Sequence, residues 1–409
     1  MRKIMLRWAE IDLNAIKSNL KAIKNKVGKR KIIAVVKANA YGHGAIPVAR
    51  AIAEQTDMFA VATLEEAIEL REAGITLPIL NLFSILPDQA EAVLKYEITQ
   101  AVCKLSTCEA ISDCAKQASP RVRGERGGGD IAKVHVEVDT GMNRLGVHYS
   151  EAVSFLKQVC ALPNLRVEGI FTHFSSADEV DKSYTNLQLE RFNSLWKPEL
   201  GFRISDFGIK RNNSLIPPSA FRLPPSVHLE RSAFLIHAAN SPAILDLPST
   251  YFDAVRPGLI LHGLYPSDEV SRSIPLKPAL SLKTRVIHLK NVVSGESISY
   301  NRRYITLAST KIATLSIGYA DGYRTSLRNI GEALIRGARA PIVGTICMDN
   351  IMCDVGHIPD VGIGDEVVLI GKQGDDEITA DEVAKKAGTI SYDIFCGLGR
   401  RVERIYIDG

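Results

Sequence analysis

Short apolar runs recur along the first two thirds of the chain, and amphipathic segments separate them. The runs are rich in β-branched residues and lie at 32–37, 58–62, 78–82, 100–103, 133–138, 167–172, 234–239 and 252–256. Nearly continuous apolar runs of this length are typical of parallel strands that are buried on both faces. The segments between them, such as 64–73, 88–95 and 151–161, carry helical periodicity. This alternation of strand and helix units predicts an α/β fold, a TIM (β/α)8 barrel.

The composition changes after the last of these runs. A linker rich in Pro and Ser at 266–278 is followed by a region in which strands dominate. These strands are predicted at 280–289, 312–317, 332–335, 341–347, 366–371 and 402–407. We therefore expect residues 1–268 to form the barrel and residues 269–409 to form a mainly β C-terminal domain. The stretches 119–130 and 197–229 break the rhythm of the barrel and are expected to be insertions.

Composition and charge exclude several classes of protein. The chain has 409 residues, of which 46% are hydrophobic, and this is enough apolar material for two cores. The net charge is only +4 and the charged residues are interleaved, so neither nucleic acid nor a membrane surface is an expected partner. The seven cysteines are scattered without the paired spacing of a zinc site, so no metal is expected. Without an apolar run of signal-peptide or transmembrane length, the expected location is the cytoplasm.

Polar residues and turn formers gather where the predicted barrel strands end. They are Lys37, Arg144, His173, Asn240 with Ser241, and Arg256 with Gly258. A single lysine after a strand is usually a surface residue, and a single histidine is usually a packed core residue. Several such positions at one rim are harder to explain in this way, because the active sites of TIM barrels lie at the C-terminal ends of the strands. The pattern predicts an active site at this rim.

Seven motifs carry a resemblance to a known family. The segment AVVKANAYGHG at 34–44 resembles the cofactor-attachment signature of the alanine racemase family. The others are DTGMNRLG at 139–146, THF at 172–174, ANS at 239–241, GYADG at 318–322, ICMD at 346–349 and TISY at 389–392. They occur in the family's order and span almost the whole chain. The resemblance therefore covers both predicted domains and implies an amino-acid racemase.

The resemblance implies pyridoxal 5'-phosphate as the cofactor and Lys37 as its attachment residue. A lysine amine forms a Schiff base with the cofactor aldehyde, exchanges with the substrate amine, and is then free to act as a base. A racemase removes a proton from one face of the α-carbon and returns one to the other, which requires a second acid or base. The resemblance assigns that second role to Tyr300. Without it, Tyr300 would be interpreted as an ordinary packed tyrosine.

Further site residues follow from the same resemblance. Arg256 is expected to face the pyridine nitrogen, and because an arginine only donates, that nitrogen should stay unprotonated. The other cofactor contacts implied are Tyr41, Arg144, His173, Asn240, Ser241, Gly258, Leu259 and Tyr392. The substrate carboxylate is expected at the backbone amide of Met348, with Arg144 close by. Tyr319 and Asp349 are implied as supporting residues.

Glu137 departs from the family pattern. Many members have a lysine here whose carbamate orients the arginine seven residues later, whereas this chain encodes a carboxylate. We expect Glu137 to do this work directly by pairing with Arg144, because a buried carboxylate needs a cationic partner. Thr345 is a second departure, since an arginine that lines the substrate corridor is common there. A narrow corridor favours a small side chain, but a pocket discriminates weakly between alanine and serine.

The resemblance also implies a homodimer in which Tyr300, Tyr319 and Met348 reach the cofactor of the neighbouring subunit. The expected reaction is the interconversion of L-alanine and D-alanine, which supplies D-alanine for peptidoglycan. A serine or broader racemase remains an alternative. A non-catalytic pyridoxal-phosphate carrier would need neither Tyr300 nor the C-terminal domain, and related barrel decarboxylases lack the signature at 34–44. Both are therefore less favoured.

Overall fold

The computed structural model of the chain describes residues 5–117, 131–196 and 234–408. The two predicted insertions, 119–130 and 197–229, lie outside the described residues. The strands are β1 Arg7–Asp12, β2 Lys31–Val35, β3 Met58–Val61, β4 Ile79–Asn81, β5 Thr99–Val102, β6 Ala132–Asp139, β7 Val147–His148, β8 Leu165–Phe171, β9 Leu235–His237, β10 Ala254–Val255, β11 Leu280–Val292, β12 Ser297–Ile298, β13 Tyr304–Ile305, β14 Thr310–Leu315, β15 Glu332–Ile335, β16 Ala338–Pro341, β17 Ile351–Asp354, β18 Glu366–Gln373, β19 Asp376–Ile378 and β20 Glu403–Ile407.

The helices alternate with the strands in the first half of the chain. They are α1 Leu13–Val27, α2 Lys37–Tyr41, α3 Ala45–Ile52, α4 Leu64–Glu72, α5 Ala90–Lys95, α6 Leu105–Gln117, α7 Ala152–Ala161, α8 Ser183–Ser194, α9 Ser241–Asp246, α10 Ala380–Ala387 and α11 Ser391–Cys396. Within the described ranges, no helix is both long and apolar enough to cross a membrane.

Eight parallel strands close into a barrel. The pairing runs from β2 through β3, β4, β5, β6, β8, β9 and β10 and then returns to β2. The predicted TIM barrel is therefore confirmed, and each apolar run contributes one strand. The rim where these strands end at their C-termini brings together segments that lie far apart in the sequence.

Side chains fill the interior of the barrel. The apolar ones are Ile33, Val35, Met58, Ala60, Leu80, Ala101, Phe171 and Ala254. In β2 these inward residues alternate with Ile32 and Ala34, which pack in the layer beneath the helices. Such a period of two is what a strand buried on both faces requires. The packed interior forms the floor of the rim.

The second domain is built on a mainly antiparallel sheet in the order β16-β15-β18-β11-β1-β20, with β14 and β17 extending from β11. Two neighbouring strands of this sheet, β1 and β20, lie far apart in the sequence. β1 pairs antiparallel with β11 on one side and parallel with β20 on the other. Trp8, Ala9 and Ile11 of β1 are buried there. The domain boundary at 268 and 269 stays a prediction, and the structure adds that the N-terminal strand lies in the C-terminal sheet.

One predicted strand of this domain is wrong. The chain at 341–347 leaves the sheet after β16, and only an isolated bridge between Ile342 and Cys353 continues the pairing. Pro341 has no backbone N–H to donate to a ladder. Gly344 has φ +77°, and a Cβ there would lie 2.6 Å from the carbonyl oxygen of Ile298. The apolar residues at 342–346 therefore line a buried loop rather than a strand.

Candidate active site

Lys37 lies two residues after the end of β2, at the rim of the barrel. Its Nζ is 5.5 Å from the centroid of the Phe83 ring, and the guanidinium carbon of Arg144 is 5.2 Å from the same centroid. Burial lowers the pKa of Lys37, and the positive charge of Arg144 lowers this pKa further. A lysine with a lowered pKa has more neutral amine at physiological pH. Lys37 is therefore a candidate nucleophile and base.

The backbone after Lys37 forms a left-handed turn. Residues 38–41 have φ angles of 51, 53, 52 and 52°, although none of them is glycine. The left-handed conformation costs L-residues roughly 1–2 kcal/mol each, so outside contacts must hold this turn. Ala38 N donates to Oε1 of Glu66 at 2.5 Å, and Ala45 N donates to Oδ1 of Asn39 at 2.8 Å. Glu66 thus anchors the start of the turn to α4, and the Asn39 side chain joins the turn to the start of α3.

Arg256 lies fully buried after β10 and donates to two histidines. Its Nη1 is 2.7 Å from Nδ1 of His237, and its Nη2 is 3.2 Å from Nδ1 of His173. Because arginine only donates, both histidines accept through Nδ1 and carry their proton on Nε2. Burial, and next the charge of Arg256, hold the pKa of each histidine well below its usual value, so both are neutral. Burial also lowers the pKa of Arg256 to about 10, and it stays charged at neutral pH.

The hydrogen bonds of Arg256 run from its two terminal nitrogens. Besides the histidines, Nη2 donates to the carbonyl oxygens of Thr172 at 2.7 Å and Ala238 at 3.1 Å. The Nε–H makes no hydrogen bond to the part of the chain that the structure describes. This N–H is thus available to donate a hydrogen bond to a bound molecule.

The chain of histidines continues into the barrel. Nε2 of His237 lies 2.9 Å from Nδ1 of His135. Since His237 has its proton on Nε2, it donates, and His135 must carry its own proton on Nε2. Burial lowers the pKa of His135 to about 3, so it too is neutral. Arg256 is therefore the positive charge of this buried cluster, and it sets the tautomers of all three rings.

Hydroxyl and amide groups converge near the start of α9. Gly258 N lies 3.1 Å from Oγ of Ser241, and a Cβ on Gly258 would lie 2.5 Å from the hydroxyl oxygen of Tyr41. Asn240 caps α9, since its Oδ1 accepts from Ala243 N at 3.3 Å. The hydroxyls of Tyr41 and Ser241 and the amide of Gly258 are thus close together, and neutral groups of this kind suit a small anion such as a phosphate group.

Two further predicted residues lie around this cradle. Leu259 is buried and begins a short 3-10 turn, Leu259–His262. Tyr392 is half-buried on α11, and burial together with the negative charge of Asp178 raises its pKa. Burial also raises the pKa of Tyr41, with a smaller contribution from Tyr392. Tyr41 ends α2 and Tyr392 lies on α11, and these two helices contact each other. Both tyrosines remain protonated at neutral pH, because their pKa values are raised.

Glu137 is buried on β6 and is only 6% exposed. Burial raises its pKa to about 7, although the charges of Arg144 and Arg256 oppose that rise. The expected ion pair is not formed in the described ranges, where Arg144 affects Glu137 through its charge without a hydrogen bond between the two side chains. The physical reason is that Arg144 is exposed and its guanidinium lies over the Phe83 ring instead. Arg144 therefore acts on Glu137 through its charge at longer range.

Three predicted residues, Tyr300, Tyr319 and Met348, lie on the second domain and are called the outer patch here. They are 68%, 44% and 52% exposed, respectively. Thr345 Oγ1 donates to the carbonyl oxygen of Tyr300 at 2.8 Å, and Tyr319 N donates to that of Cys347 at 3.0 Å. No hydrogen bond or ring contact in the described residues joins the outer patch to the barrel rim. The predicted site residues thus form two groups in one chain.

The buried carboxylate of Asp321 links the outer patch to β1 through two arginines. Asp321 is fully buried, and its Oδ1 lies 3.1 Å from Nε of Arg7 and 3.1 Å from Nε of Arg401. Arg401 also donates to Oδ1 of Asp349 at 2.7 Å. The loop that presents Met348 is thereby tied to β1 through Asp321.

Sequence reasoning missed two side chains at the rim. The Phe83 ring lies next to the charged ends of Lys37 and Arg144, and Phe83 directly follows the apolar run at 78–82. Glu66 accepts from Ala38 N, and its other carboxylate oxygen accepts from Ala62 N at 2.8 Å. Thr63 and Glu66 form a capping box at the start of α4, and the T-x-x-E spacing was a readable signal for it. In the described residues, no group of three or more His, Cys, Asp or Glu is arranged to hold a metal ion.

Comparison with known proteins covers both domains. Residues 11–201 match the family model described as alanine racemase, N-terminal domain, and residues 279–406 match alanine racemase, C-terminal domain. The alanine racemase of Halothermothrix orenii is 45% identical over 401 residues, which cover 98% of this chain and 96% of that protein. That of Desulforamulus reducens is 45% identical over 404 residues and 98% of each chain. The solved alanine racemase of Clostridium difficile has a TM-score of 0.85 and 38% identity, covering 99% of this chain and 97% of its own.

Proposed function

The chain belongs to the alanine racemase family, and we propose that it interconverts L-alanine and D-alanine with pyridoxal phosphate bound at the rim of its barrel. Family and activity class make it an isomerase. The observation that carries the proposal is Lys37, an amine with a lowered pKa at the end of β2, beside the cation of Arg144. This arrangement supplies both the nucleophile and the base that the reaction needs.

The residues present fit pyridoxal phosphate. Lys37 would hold the aldehyde carbon, while Tyr41, Ser241 and the amide of Gly258 would hold the phosphate. The absence of a side chain at position 258 keeps that cradle open, since a Cβ would lie 2.5 Å from the Tyr41 hydroxyl. When bound, the cofactor supplies an electron sink for the negative charge left on the α-carbon after proton removal.

Arg256 would meet the ring nitrogen through its Nε–H. Its pKa of about 10 means that it keeps its proton at neutral pH, so it donates a hydrogen bond without protonating the ring. The neutral histidines around it supply no proton either, because their pKa values are lowered. A weaker electron sink suppresses competing reactions such as transamination while it still permits racemisation.

The second base would come from another copy of the chain. Tyr300 is 68% exposed and lies in the outer patch, which no hydrogen bond or ring contact between described residues joins to the barrel rim. Large exposed aromatic and Met side chains are typical of interfaces. We infer a homodimer in which the outer patch of one copy covers the barrel rim of the other, so that Tyr300 and Lys37 act on opposite faces of the α-carbon. The amide of Met348 and Arg144 would then bind the substrate carboxylate.

Deuterium exchange tests the proposed activity. The purified protein with pyridoxal phosphate is incubated with L-alanine or L-serine in deuterated water, and the D-enantiomer and α-deuterium are followed by chiral chromatography and NMR. We expect D-alanine with deuterium at the α-carbon, and a slower reaction with serine. Protein freed of cofactor is the control. Cofactor binding without exchange on either amino acid would favour the carrier instead. Action in the cytoplasm stays a prediction from the pattern of apolar runs, and supply of D-alanine for peptidoglycan stays a prediction from the sequence resemblance.

Glu137→Gln should stabilise the protein while it weakens catalysis. The pKa of Glu137 is raised from 4.5 to about 7, so between these pH values the folded chain binds more protons than the unfolded chain. Stability therefore falls as the pH rises through this window, and above pH 7 the loss is about 3 kcal/mol. Glutamine lacks this loss, and we expect the variant to be more stable than the wild type at pH 8 and similar at pH 4.

Chemical denaturation at both pH values measures this difference, and racemisation at pH 8 measures the catalytic cost. The negative charge of Glu137 acts on Arg144, so its removal should lower turnover severalfold. Lys133→Gln, at the exposed start of the same strand, is the matched control. Equal stability of Glu137→Gln and wild type at pH 8 would contradict the raised pKa.

A further inference from the structure

Arg404, on β20, uses its guanidinium to bind four backbone carbonyl oxygens. Nη1 donates to Gly399 at 2.7 Å and Val402 at 2.8 Å, and Nη2 donates to Leu398 at 2.8 Å. The remaining bond, from Nε, reaches Gly42 at 3.1 Å across 362 positions of sequence. Burial lowers the pKa of Arg404, as expected for a guanidinium surrounded by protein. Three bonds therefore fix the side chain within its own segment, and the fourth extends to the barrel.

Of the four carbonyl groups that Arg404 binds, that of Gly42 lies at the end of the left-handed turn after Lys37. Gly42 N donates to the carbonyl oxygen of Ala38 at 2.9 Å, so Gly42 closes the turn at 38–41. A run of non-glycine residues in this conformation is unfavourable by itself and persists only where its surroundings hold it. The turn has one anchor in the barrel, Glu66 at Ala38 N. Arg404 supplies the other, from the C-terminal strand.

The C-terminal segment also packs against this turn without any space between them. A Cβ on Gly42 would lie 2.2 Å from the carbonyl oxygen of Phe395 in α11, and a Cβ on Gly44 would lie 1.9 Å from the hydroxyl oxygen of Tyr406 in β20. Both glycines have positive φ, at +84° and +99°. The close approach means that β20 and α11 limit the positions that the turn can take.

We propose that Arg404 is a positioning residue for Lys37: by binding the carbonyl of Gly42, it keeps the left-handed turn closed and the Lys37 amine directed at the rim. This inference rests on the proposed function only for the role of Lys37. A purely structural alternative is that Arg404 only fastens β20 to its own sheet. The two roles predict faster amide hydrogen exchange in different places when Arg404 is replaced, at the turn for the positioning role and in the sheet for the structural role.

Hydrogen exchange of the full-length protein without cofactor separates them. In Arg404→Lys the charge remains, but a single ammonium cannot reach four separate carbonyls. We expect amides in a peptide spanning 36–46 to exchange about 10-fold faster, because a hydrogen bond from a charged donor is lost there. Exchange in β1 and β11 should stay at wild-type rates. Arg400→Lys, an exposed position on the same segment, is the matched control.

Three results would overturn the proposal. One is unchanged exchange at 36–46, another is equally faster exchange in β1 and β11, and the third is an Arg404→Lys chain that unfolds throughout. Each of the last two would assign Arg404 to the stability of the sheet. A suppressor sharpens the test, since Ala38 is exposed with φ 51° and glycine takes this conformation freely. Adding Ala38→Gly to Arg404→Lys should bring exchange at 36–46 at least about 3-fold back towards wild type, and no recovery contradicts the strained-turn argument.

Cofactor trapping then connects the turn to Lys37. Borohydride reduction at a limiting concentration of pyridoxal phosphate, followed by peptide mass spectrometry, measures the fraction of Lys37 that carries the cofactor. We expect about 10-fold less labelling in Arg404→Lys than in Arg400→Lys. Equal labelling would contradict the positioning role. If wild-type Lys37 is not labelled at all, the proposed function fails while the exchange result for the turn still stands.

Discussion

Replacing Tyr300 by Phe is expected to lower the rate of alanine racemisation about 10³-fold, which is the usual contribution of a general acid or base. Lys37 remains in this variant and still removes the α-proton from one face. We therefore expect α-proton exchange of one enantiomer in deuterated water without inversion. Because Tyr300 is 68% exposed, the loss of its hydroxyl should change the free energy of unfolding by less than about 0.5 kcal/mol.

Chiral chromatography and NMR of the same reactions separate inversion from exchange. Tyr304→Phe is the matched control, since Tyr304 is a tyrosine of the nearby strand β13 to which no role is assigned. It should racemise alanine at close to the wild-type rate. Inversion at the wild-type rate by Tyr300→Phe would show that another group supplies the second proton.

Lys37→Ala is expected to abolish both inversion and exchange. Without the amine there is neither a covalent attachment point for the cofactor nor a base on the first face. Intact mass after borohydride reduction should show no added pyridoxyl group, whereas the wild type should show one per chain. Lys31→Ala, at the opposite end of β2, should keep both the label and the activity. Labelling of Lys37→Ala at a stoichiometric level would place the attachment at a different lysine.

Combining these two inactive variants tests whether the site is shared. In a hybrid dimer, one site has Lys37 from one copy and Tyr300 from the other, and the second site has neither. Two different affinity tags isolate this hybrid after coexpression. If the outer patch completes the partner's rim, the hybrid should have about half of the wild-type activity, as expected for a two-fold symmetric dimer. A hybrid as inactive as its parents would place both residues in the same chain's site.

The barrel was predictable because its strands are buried on both faces and therefore appear in the sequence as separate apolar runs. The residues at 32–35 of β2 alternate between two cores, yet all are apolar. The strand can therefore be predicted from this run alone, without knowing which segments pack against it. The histidine cluster was less accessible. His135 and His237 meet across the barrel although 102 positions separate them, and nothing near either residue indicates its partner.

The left-handed turn was also beyond sequence reasoning. Residues 38–41 contain no glycine, so local preference favours an ordinary helix or loop, and the observed conformation depends on Glu66 and Arg404 from distant segments. The error at 341–347 has a similar origin. Its apolar side chains indicated a strand, but they are buried by a loop that turns at Gly344. The apolar composition of this segment reflects its burial and not a strand conformation.

The pairing of β1 with β20 orders events during protein synthesis. β1 is synthesised roughly 390 residues before β20, and at about 5–20 residues per second this interval is on the order of 20 to 80 s. β1 lacks its neighbour β11 until residues 280–292 have been made, and it lacks β20 for the whole interval. The turn after Lys37 lacks its contact with Arg404 for the same interval. The strands of the barrel can therefore pair during synthesis before the turn after Lys37 is bound by Arg404. Once β20 has been made, Arg404 can form its hydrogen bond to the carbonyl oxygen of Gly42 and hold the turn after Lys37.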